Sequence, residues 1–365
     1  MARLIIESTH MTSPHTTEYT PLQSSIRRIT CFVLLVLSAL TFECQAAELD
    51  VHVISYAIDT FDQKYIKTDI AGSKTKLLSP LPYFRAQADL MVTAVEKGMA
   101  ELRKVGASSN TKESSTLESS LVIFMAPEFF FKYYAKHEVT LPDGSGRTIQ
   151  KQIEGGPYKR TDMIEGLEYL KKKLPKEPQL LVLPGTVWWW EPSGNKEKPV
   201  RIHNTMPVMC GGKIIHTWQK TNLSNIDGLN DTAEEWDRDN VKVRAVLDKT
   251  QNPVFPFTIA GRTVRVGVEV CLDHHSELAV LKNAVADQRV DIHALAACGM
   301  GAEQSSIAAH ASGLFIRCDG AGGRPEHDCW KYDRGRKFWS AVPNTRQVKL
   351  GSGVVYATKT SIVIP

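Results

Sequence analysis

Three apolar stretches in this chain end on side chains that could work together. "LVIFMAPE" ends on Glu128, "KIIHTWQK" on Lys220 and "VRVGVEVC" on Cys271. Each leads into loop-like sequence. In α/β sheets ligands gather at strand C-termini, where loops open a crevice. If the three ends converge, a carboxylate, an ammonium and a thiol share one pocket. A thiol attacks as its thiolate, and Glu128 could take the proton provided burial raises its pKa. Lys220 could hold the oxyanion that forms when sulfur attacks a carbonyl carbon, with the Leu272 N–H as a second donor. Such a route splits a hydrolysis into two easier steps through a thioester. Taken singly, a cysteine ending a valine strand is usually core and a lysine after a strand is usually surface. The combination carries the signal.

The elements that must position these residues can be read around them. "LDVHVISYAI" is a strand, and residues 83–105 have a helical apolar period with Gly98 inside and Gly106 at the end. "SLVIFMAPE" and "QLLVLPGTVWWW" are strands stopped by proline. Residues 161–174 form a helix that Thr161 or Asp162 could cap. "TMPVMCGGKIIHTWQK" is a hairpin around Gly211-Gly212, and "FPFTIAGRTVRVGVEVC" a second one turning at Ala260-Gly261. "SELAVLKNAVADQ" and "SSIAAHASGL" read as helices, "VDIHALAAC" as a strand, and "GSGVVYATKTSIVIP" as one or two closing strands. Residues 142–160, 222–253 and 319–340 read as long loops. Alternating strands and helices interrupted by hairpins predict an α/β protein with a mixed sheet or two packed sheets.

Composition sets the class. The 365 residues are 42% apolar and 23% charged, as in an ordinary globular protein. The N-terminus has the layout of an export signal: Arg27 and Arg28, an apolar run from Ile29 to Phe42, then small residues with cleavage near Ala46 or Ala47. The alternative is an uncleaved membrane anchor, but the run is short of the roughly 20 residues that span a bilayer. Residues 1–46 are therefore expected to leave, and 47–365 to form the mature, exported chain, periplasmic or secreted, with no stable membrane insertion. That segment carries three charges of each sign, so the net charge stays at +4. This is too mild for nucleic acid, which calls for a clustered basic face. Cys210, Cys271, Cys298, Cys318 and Cys329 remain. An odd number in an oxidising compartment leaves one thiol unpaired and permits up to two disulfides, Cys318 and Cys329 being closest in sequence.

The contexts of the three residues resemble the carbon–nitrogen hydrolase, or nitrilase, superfamily. "FMAPEFFF" is similar to its glutamate motif, "WQKTNLS" to its K-T-x-L lysine motif, and "VGVEVCLDHHSEL" to its G-x-x-x-C-x-D nucleophile motif, with Glu277 at a later acidic position. "LLVLPGTVWW", "RIHNTMPVM" and "GSGVVYAT" resemble further segments. The resemblance covers roughly residues 49–365 and implies a single domain with long loop insertions. The implied fold is a four-layer α-β-β-α sandwich of two mixed sheets, with a homodimer possible. It also implies Glu128 as general base, Lys220 as oxyanion donor, Cys271 as nucleophile, a small amide or nitrile as substrate, and no cofactor. The family often has a second glutamate between the lysine and the cysteine. Glu234 and Glu235 are the candidates here, with Glu235 preferred. Asp273 favours an amide over a nitrile. Glu269 shares strand parity with Cys271, so both are expected on one face; a buried glutamate needs a partner, so Glu269 could support the site or pair elsewhere.

Other readings share these residues. A nitrilase or an N-acyltransferase could use the same trio, and a secreted binding protein could keep the fold without catalysis. A metal hydrolase could be built on His274, His275, His293, His310 and Cys298. These histidines lack i, i+4 pairing, which argues for hydrogen-bonded or exposed rings and no metal.

Overall fold

Strand β1 (Ala47–Ala57) sends its side chains alternately to two cores, Val51 and Val53 to one, Ile54 and Tyr56 to the other. The computed structural model describes residues 47–60, 79–108, 117–133, 136–140, 148–152, 157–192, 200–223, 235–238, 241–245, 247–248, 250–321 and 325–364. After β1 come α1 (Pro80–Ser108), β2 (Leu121–Met125), β3 (Lys136–Thr140), β4 (Thr148–Gln152), β5 (Tyr158–Lys159), α2 (Arg160–Lys173) and β6 (Leu180–Leu183). They are followed by β7 (Val187–Glu191), β8 (Val200–Cys210), β9 (Lys213–Gln219), β10 (Glu235–Arg238), β11 (Val241–Ala245), β12 (Val254–Ile259) and β13 (Arg262–Val270). The chain closes with α3 (Val280–Val285), β14 (Val290–Ala297), β15 (Ala309–Asp319), β16 (Glu326–Asp333), β17 (Phe338–Ala341), β18 (Arg346–Leu350) and β19 (Gly353–Ile364).

Two mixed sheets result. The larger runs β10-β11-β8-β6-β2-β1-β19-β18, with β5, β7 and β9 branching from it. Strands β1, β2 and β6 are parallel, while β19 pairs antiparallel along the whole of β1. The smaller runs β12-β13-β14-β15-β16-β17, with β13, β14 and β15 parallel. The parallel strands are buried on both faces, which is why "LVIFM" and "VDIHALAA" read as unbroken or nearly unbroken apolar runs.

The sheets pack face to face. Leu121, Ile123 and Met125 of β2 share one core with Val264, Val266 and Val268 of β13. The outer face of the larger sheet is covered by α1 and α2. That of the smaller sheet is covered by α3 and short 3-10 turns. The four-layer α-β-β-α order expected from sequence is present, with a thin outer layer on one side. Residues Ala47–Ile364 cluster as one unit. Among the described residues no helix is long and apolar enough to cross a membrane.

Several local expectations change. "SSIAAHASGL" is a 3-10 turn (Gln304–Ser306) leading into strand β15, because its apolar residues continue the smaller sheet. The helix expected over 276–288 shrinks to α3, and α2 starts at Arg160 with no side-chain cap. The segment 319–340 holds β16, whose half-buried polar residues hide its strand character, and most of the four-residue β17. Strands β4 and β5 lie within 142–160, and β10 and β11 within 222–253. The hairpins at Gly211-Gly212 and Ala260-Gly261 form as read, each with positive φ at both turn residues. All five described cysteines are free thiols. The register of β15 and β16 sets Cys318 opposite His327 and Cys329 opposite Ile316, so the two sulfurs are not paired.

One glycine ties the fold to the turn that carries Glu128. Gly185, between β6 and β7, has φ 74°, and a Cβ there would sit 2.0 Å from the Pro127 carbonyl oxygen. Gly185→Ala is therefore expected to cost about 2–4 kcal/mol, combining left-handed strain with a clash against rigid backbone. Equilibrium urea unfolding checks it; a loss below about 0.5 kcal/mol would mean that the turn yields freely.

Candidate active site

The strand ends meet where the two sheets face each other. Backbone bonds stitch the loops together: the Glu128 and Gly320 N–H groups donate to the Ala297 carbonyl at 3.2 and 3.1 Å, and Thr60 N–H to the Gly320 carbonyl at 2.9 Å. The ends of β1, β2, β14 and β15 are thus held in one place. The chain turns sharply after Glu128, with Phe129 at φ 57° and its N–H donating to Thr186 Oγ1 at 2.9 Å. The Lys220 N–H donates to the Asn204 carbonyl at 2.9 Å, which fixes the end of β9 against β8.

Glu128, Lys220 and Cys271 come together there. Lys220 Nζ donates to Glu128 Oε1 at 2.9 Å, and both side chains are fully buried. Asn204 Nδ2 donates to the same oxygen at 2.9 Å. Cys271 lies close enough to Glu128 and Lys220 for their charges to act on its thiol, and its Sγ donates to the Cys298 carbonyl at 3.7 Å. Burial pushes the Cys271 thiol well above its ordinary range; the Glu128 carboxylate adds to this, and the Lys220 ammonium opposes it. At neutral pH the resting sulfur is therefore a thiol beside a base, and not a preformed thiolate.

Cys271 departs from the strand that carries it. β13 stops at Val270, and Cys271 adopts φ 46° at the start of a 3-10 turn (Cys271–His274). That left-handed step costs about 1 kcal/mol or more for a residue with a Cβ. It also breaks the alternation. Cys271 joins Val268 and Val270 in the core between the sheets, whereas Glu269 faces the α3 layer. The shared face expected from strand parity is thus not observed, because parity ends one residue before the sulfur.

Asp273 and Glu269 hold this turn from opposite sides. Asp273 is buried and accepts from Trp218 Nε1 (3.2 Å), Thr221 Oγ1 (2.8 Å), Asn222 N–H and Asn222 Nδ2 (both 2.9 Å), and the Thr221 N–H (3.2 Å). It therefore ties the cysteine turn to the segment just after Lys220. Burial raises its carboxyl to about 6, with the Asn222 side chain, Lys220 and Thr221 pulling the other way. Leu272 lies within the turn, half-buried, and its carbonyl accepts the His275 N–H. Glu277 is exposed, whereas the trio is buried. Glu235 opens β10, with no side chain described, and Glu234 lies outside the described residues.

Among the described residues, Glu269, His274 and His293 form a buried cluster with metal-ligand character. Glu269 Oε2 accepts from His274 Nδ1 at 2.8 Å and His293 Nε2 at 2.9 Å, and Oε1 from the Leu281 N–H at 2.6 Å. The far nitrogens settle the tautomers. The Ala308 N–H donates to His293 Nδ1 at 3.1 Å and the Glu303 N–H to His274 Nε2 at 3.3 Å. A backbone N–H can only donate, so each near nitrogen carries the ring proton. A metal on the near nitrogens would move those protons to face two backbone N–H groups. The cluster therefore does not fit a metal ion. Burial lowers the His293 pKa and would raise that of Glu269, but the two rings donating to the carboxyl bring it down to about 2. His310 bonds Asp291 elsewhere in the smaller sheet.

One residue beside the trio had no role assigned from sequence. Asn204 sits in the quoted "RIHNTMPVM", and its strand placement was the available signal. Of the three phenylalanines after Glu128, Phe130 and Phe131 join the core under α1, whereas the Phe129 ring lies 5.9 Å from Lys220 Nζ and 5.0 Å from Lys132 Nζ.

No family model matches the sequence, and no curated protein matches it. Solved structures do. A variant of an amidase of the nitrilase superfamily from Nesterenkonia AN1 is 10% identical, with 86% of this chain and 90% of that chain covered at a TM-score of 0.42. A carbon–nitrogen hydrolase from Helicobacter pylori G27 is 11% identical, with 86% and 89% covered at 0.43. A glutamine-dependent NAD+ synthetase from Acinetobacter baumannii is 11% identical, with 83% of this chain but 49% of that chain covered at 0.40. At identities of this size, the side chains of this protein carry the case for its chemistry by themselves.

Proposed function

We propose that the protein is a thiol-dependent hydrolase of non-peptide carbon–nitrogen bonds, with a small amide as substrate. The observation that carries this reading is one buried carboxylate, Glu128, that bonds Lys220 at 2.9 Å and acts electrostatically on the nearby Cys271 thiol. A thiol kept protonated by burial needs a base at the moment of attack, and Glu128 is in place to be that base.

Cys271 Sγ attacks the carbonyl carbon and its proton passes to Glu128. The oxyanion is held by the Lys220 ammonium, with the Leu272 N–H as second donor. Collapse expels ammonia or an amine that carries the proton from Glu128, leaving a thioester. Water then attacks the thioester and gives its proton to Glu128. The second collapse releases the carboxylic acid and restores the thiol. An amide uses the proton that Glu128 gains in the first step, because its leaving group must be protonated. Asn204 orients the Glu128 carboxylate throughout. The route draws on no cofactor. The export signal read in residues 1–46 would place this activity outside the cytoplasm.

Ammonia release from a panel of short amides and nitriles tests the reading. Cys271→Ala is expected to lower it by about 10³-fold or more, and Lys220→Met by about 10²-fold or more. Equal release by Cys271→Ala and the parent chain would sink the proposed nucleophile.

The acid side of the pH profile tests the clamp beside Lys220. Asp273 is ionised above about pH 6 and protonated below it. Protonation puts a donor among the donors of Trp218, Thr221 and Asn222, so kcat is expected to fall as the pH drops through that value. Asp273→Asn mimics the protonated form and should show at pH 7 the low kcat that the parent chain shows near pH 5. Full activity of Asp273→Asn at pH 7 would assign the acid limb to another group.

A further inference from the structure

The buried Glu269 has no place in the chemistry above, yet it is more fully bonded than a core strand requires. We infer that Glu269 is a positioning residue for the nucleophile, acting through His274 from behind the turn; this rests on the thiol-hydrolase reading. The left-handed step at Cys271 does not hold itself in place, since a residue with a Cβ gains by relaxing out of it. Something must fix the next residues of the turn. Asp273 fixes one side by bonding the lysine segment. Glu269 fixes the other. Its Oε2 takes the His274 Nδ1 proton, and the far side of that ring takes the Glu303 N–H. The last residue of the 3-10 turn is thus bonded at both ends of its ring, and Phe315 stacks on it with centroids 5.5 Å apart.

The arrangement is polar where an apolar one would serve stability alone. A buried carboxylate costs several kcal/mol to desolvate, and leucine and valine fill the neighbouring positions of this layer. His293 sets the direction. Its Nδ1 accepts the Ala308 N–H, so its Nε2 must donate to Glu269 and cannot compete as an acceptor for the His274 proton. Glu269 Oε1 reaches the Leu281 N–H and so fixes the start of α3 behind the same turn. One carboxylate therefore joins the strand before the sulfur, the turn after it, the helix behind it and the neighbouring strand β14.

Four variants test this: Glu269→Gln, His274→Leu, His274→Gln and Gly267→Ala. The last is a control that crowds Leu281 on the same face, where a Cβ would lie 2.6 Å from its Cδ2, without touching the bonded ring. The readouts are kcat and KM for the best amide, and the rate of Cys271 alkylation by iodoacetamide at fixed pH. Glu269→Gln and His274→Leu are expected to lower kcat by about 30-fold with KM within about twofold, and to slow alkylation by about tenfold. His274→Gln, which keeps one donor and one acceptor, should recover at least a third of the lost kcat. Gly267→Ala should lower the melting temperature while changing alkylation by less than about twofold. If Glu269→Gln fails to fold, His274→Leu still decides, because it leaves the Glu269 bonds to His293 and Leu281 intact. Unchanged kcat and alkylation in folded Glu269→Gln or His274→Leu would reduce Glu269 to a core residue. A parent chain that releases no ammonia and has an inert Cys271 would instead overturn the hydrolase reading.

Discussion

The ion pair between Lys220 and Glu128 is the constraint around which the rest is arranged. Both side chains are sealed from solvent, with Nζ and Oε1 2.9 Å apart. Two charges in that position lose several kcal/mol of hydration each, and their attraction offsets this only with good geometry and further hydrogen bonds. Asn204 supplies one such bond to the carboxylate. The residues involved lie on β8, at the ends of β2 and β9, and just past the end of β13. The pair can form only if two sheets meet with those ends together, and the cross-sheet bonds to the Ala297 and Gly320 carbonyls hold them so.

A second constraint concerns the sulfur. A residue continuing β13 would have placed its side chain with Glu269, against the α3 layer. The left-handed step at Cys271 turns the thiol instead toward the core between the sheets, where Glu128 and Lys220 lie. Strain of this kind persists only when the surroundings over-determine it. Two buried carboxylates, Asp273 in front and Glu269 behind, supply that determination. Neither needs to touch a substrate to matter for the chemistry.

Much of this was legible in the sequence, and the gaps have physical reasons. The trio was readable because each member ends an apolar run, and strand ends are where a crevice opens. The hairpins at Gly211-Gly212 and Ala260-Gly261 were readable because their turns need positive φ. Strand β15 was missed because "SSIAAHASGL" is small and apolar at helical spacing, and its pairing with β14 is a long-range fact. Strand β16 was missed because most of its residues are polar or charged and half-buried, so period-two alternation is faint, and β17 because it is only four residues long. The face of Glu269 was misjudged because alternation was carried one residue too far, across a φ angle that composition does not reveal. The histidines were read as hydrogen-bonded or exposed rings, which fits, but their partner Glu269 was not named, since residues 269, 274 and 293 meet only once β13 and β14 pair.

The most direct test is to catch the covalent intermediate. A slowly turned-over amide or activated ester is mixed with the protein, quenched in acid, and digested for mass spectrometry of the peptide that contains Cys271. The account predicts the acyl mass on Cys271 alone, strongly reduced in Glu128→Gln, which lacks the base that takes the thiol proton, and absent in Cys271→Ala. Steady turnover with no acyl mass on that peptide, or the adduct on another of the free cysteines, would contradict it.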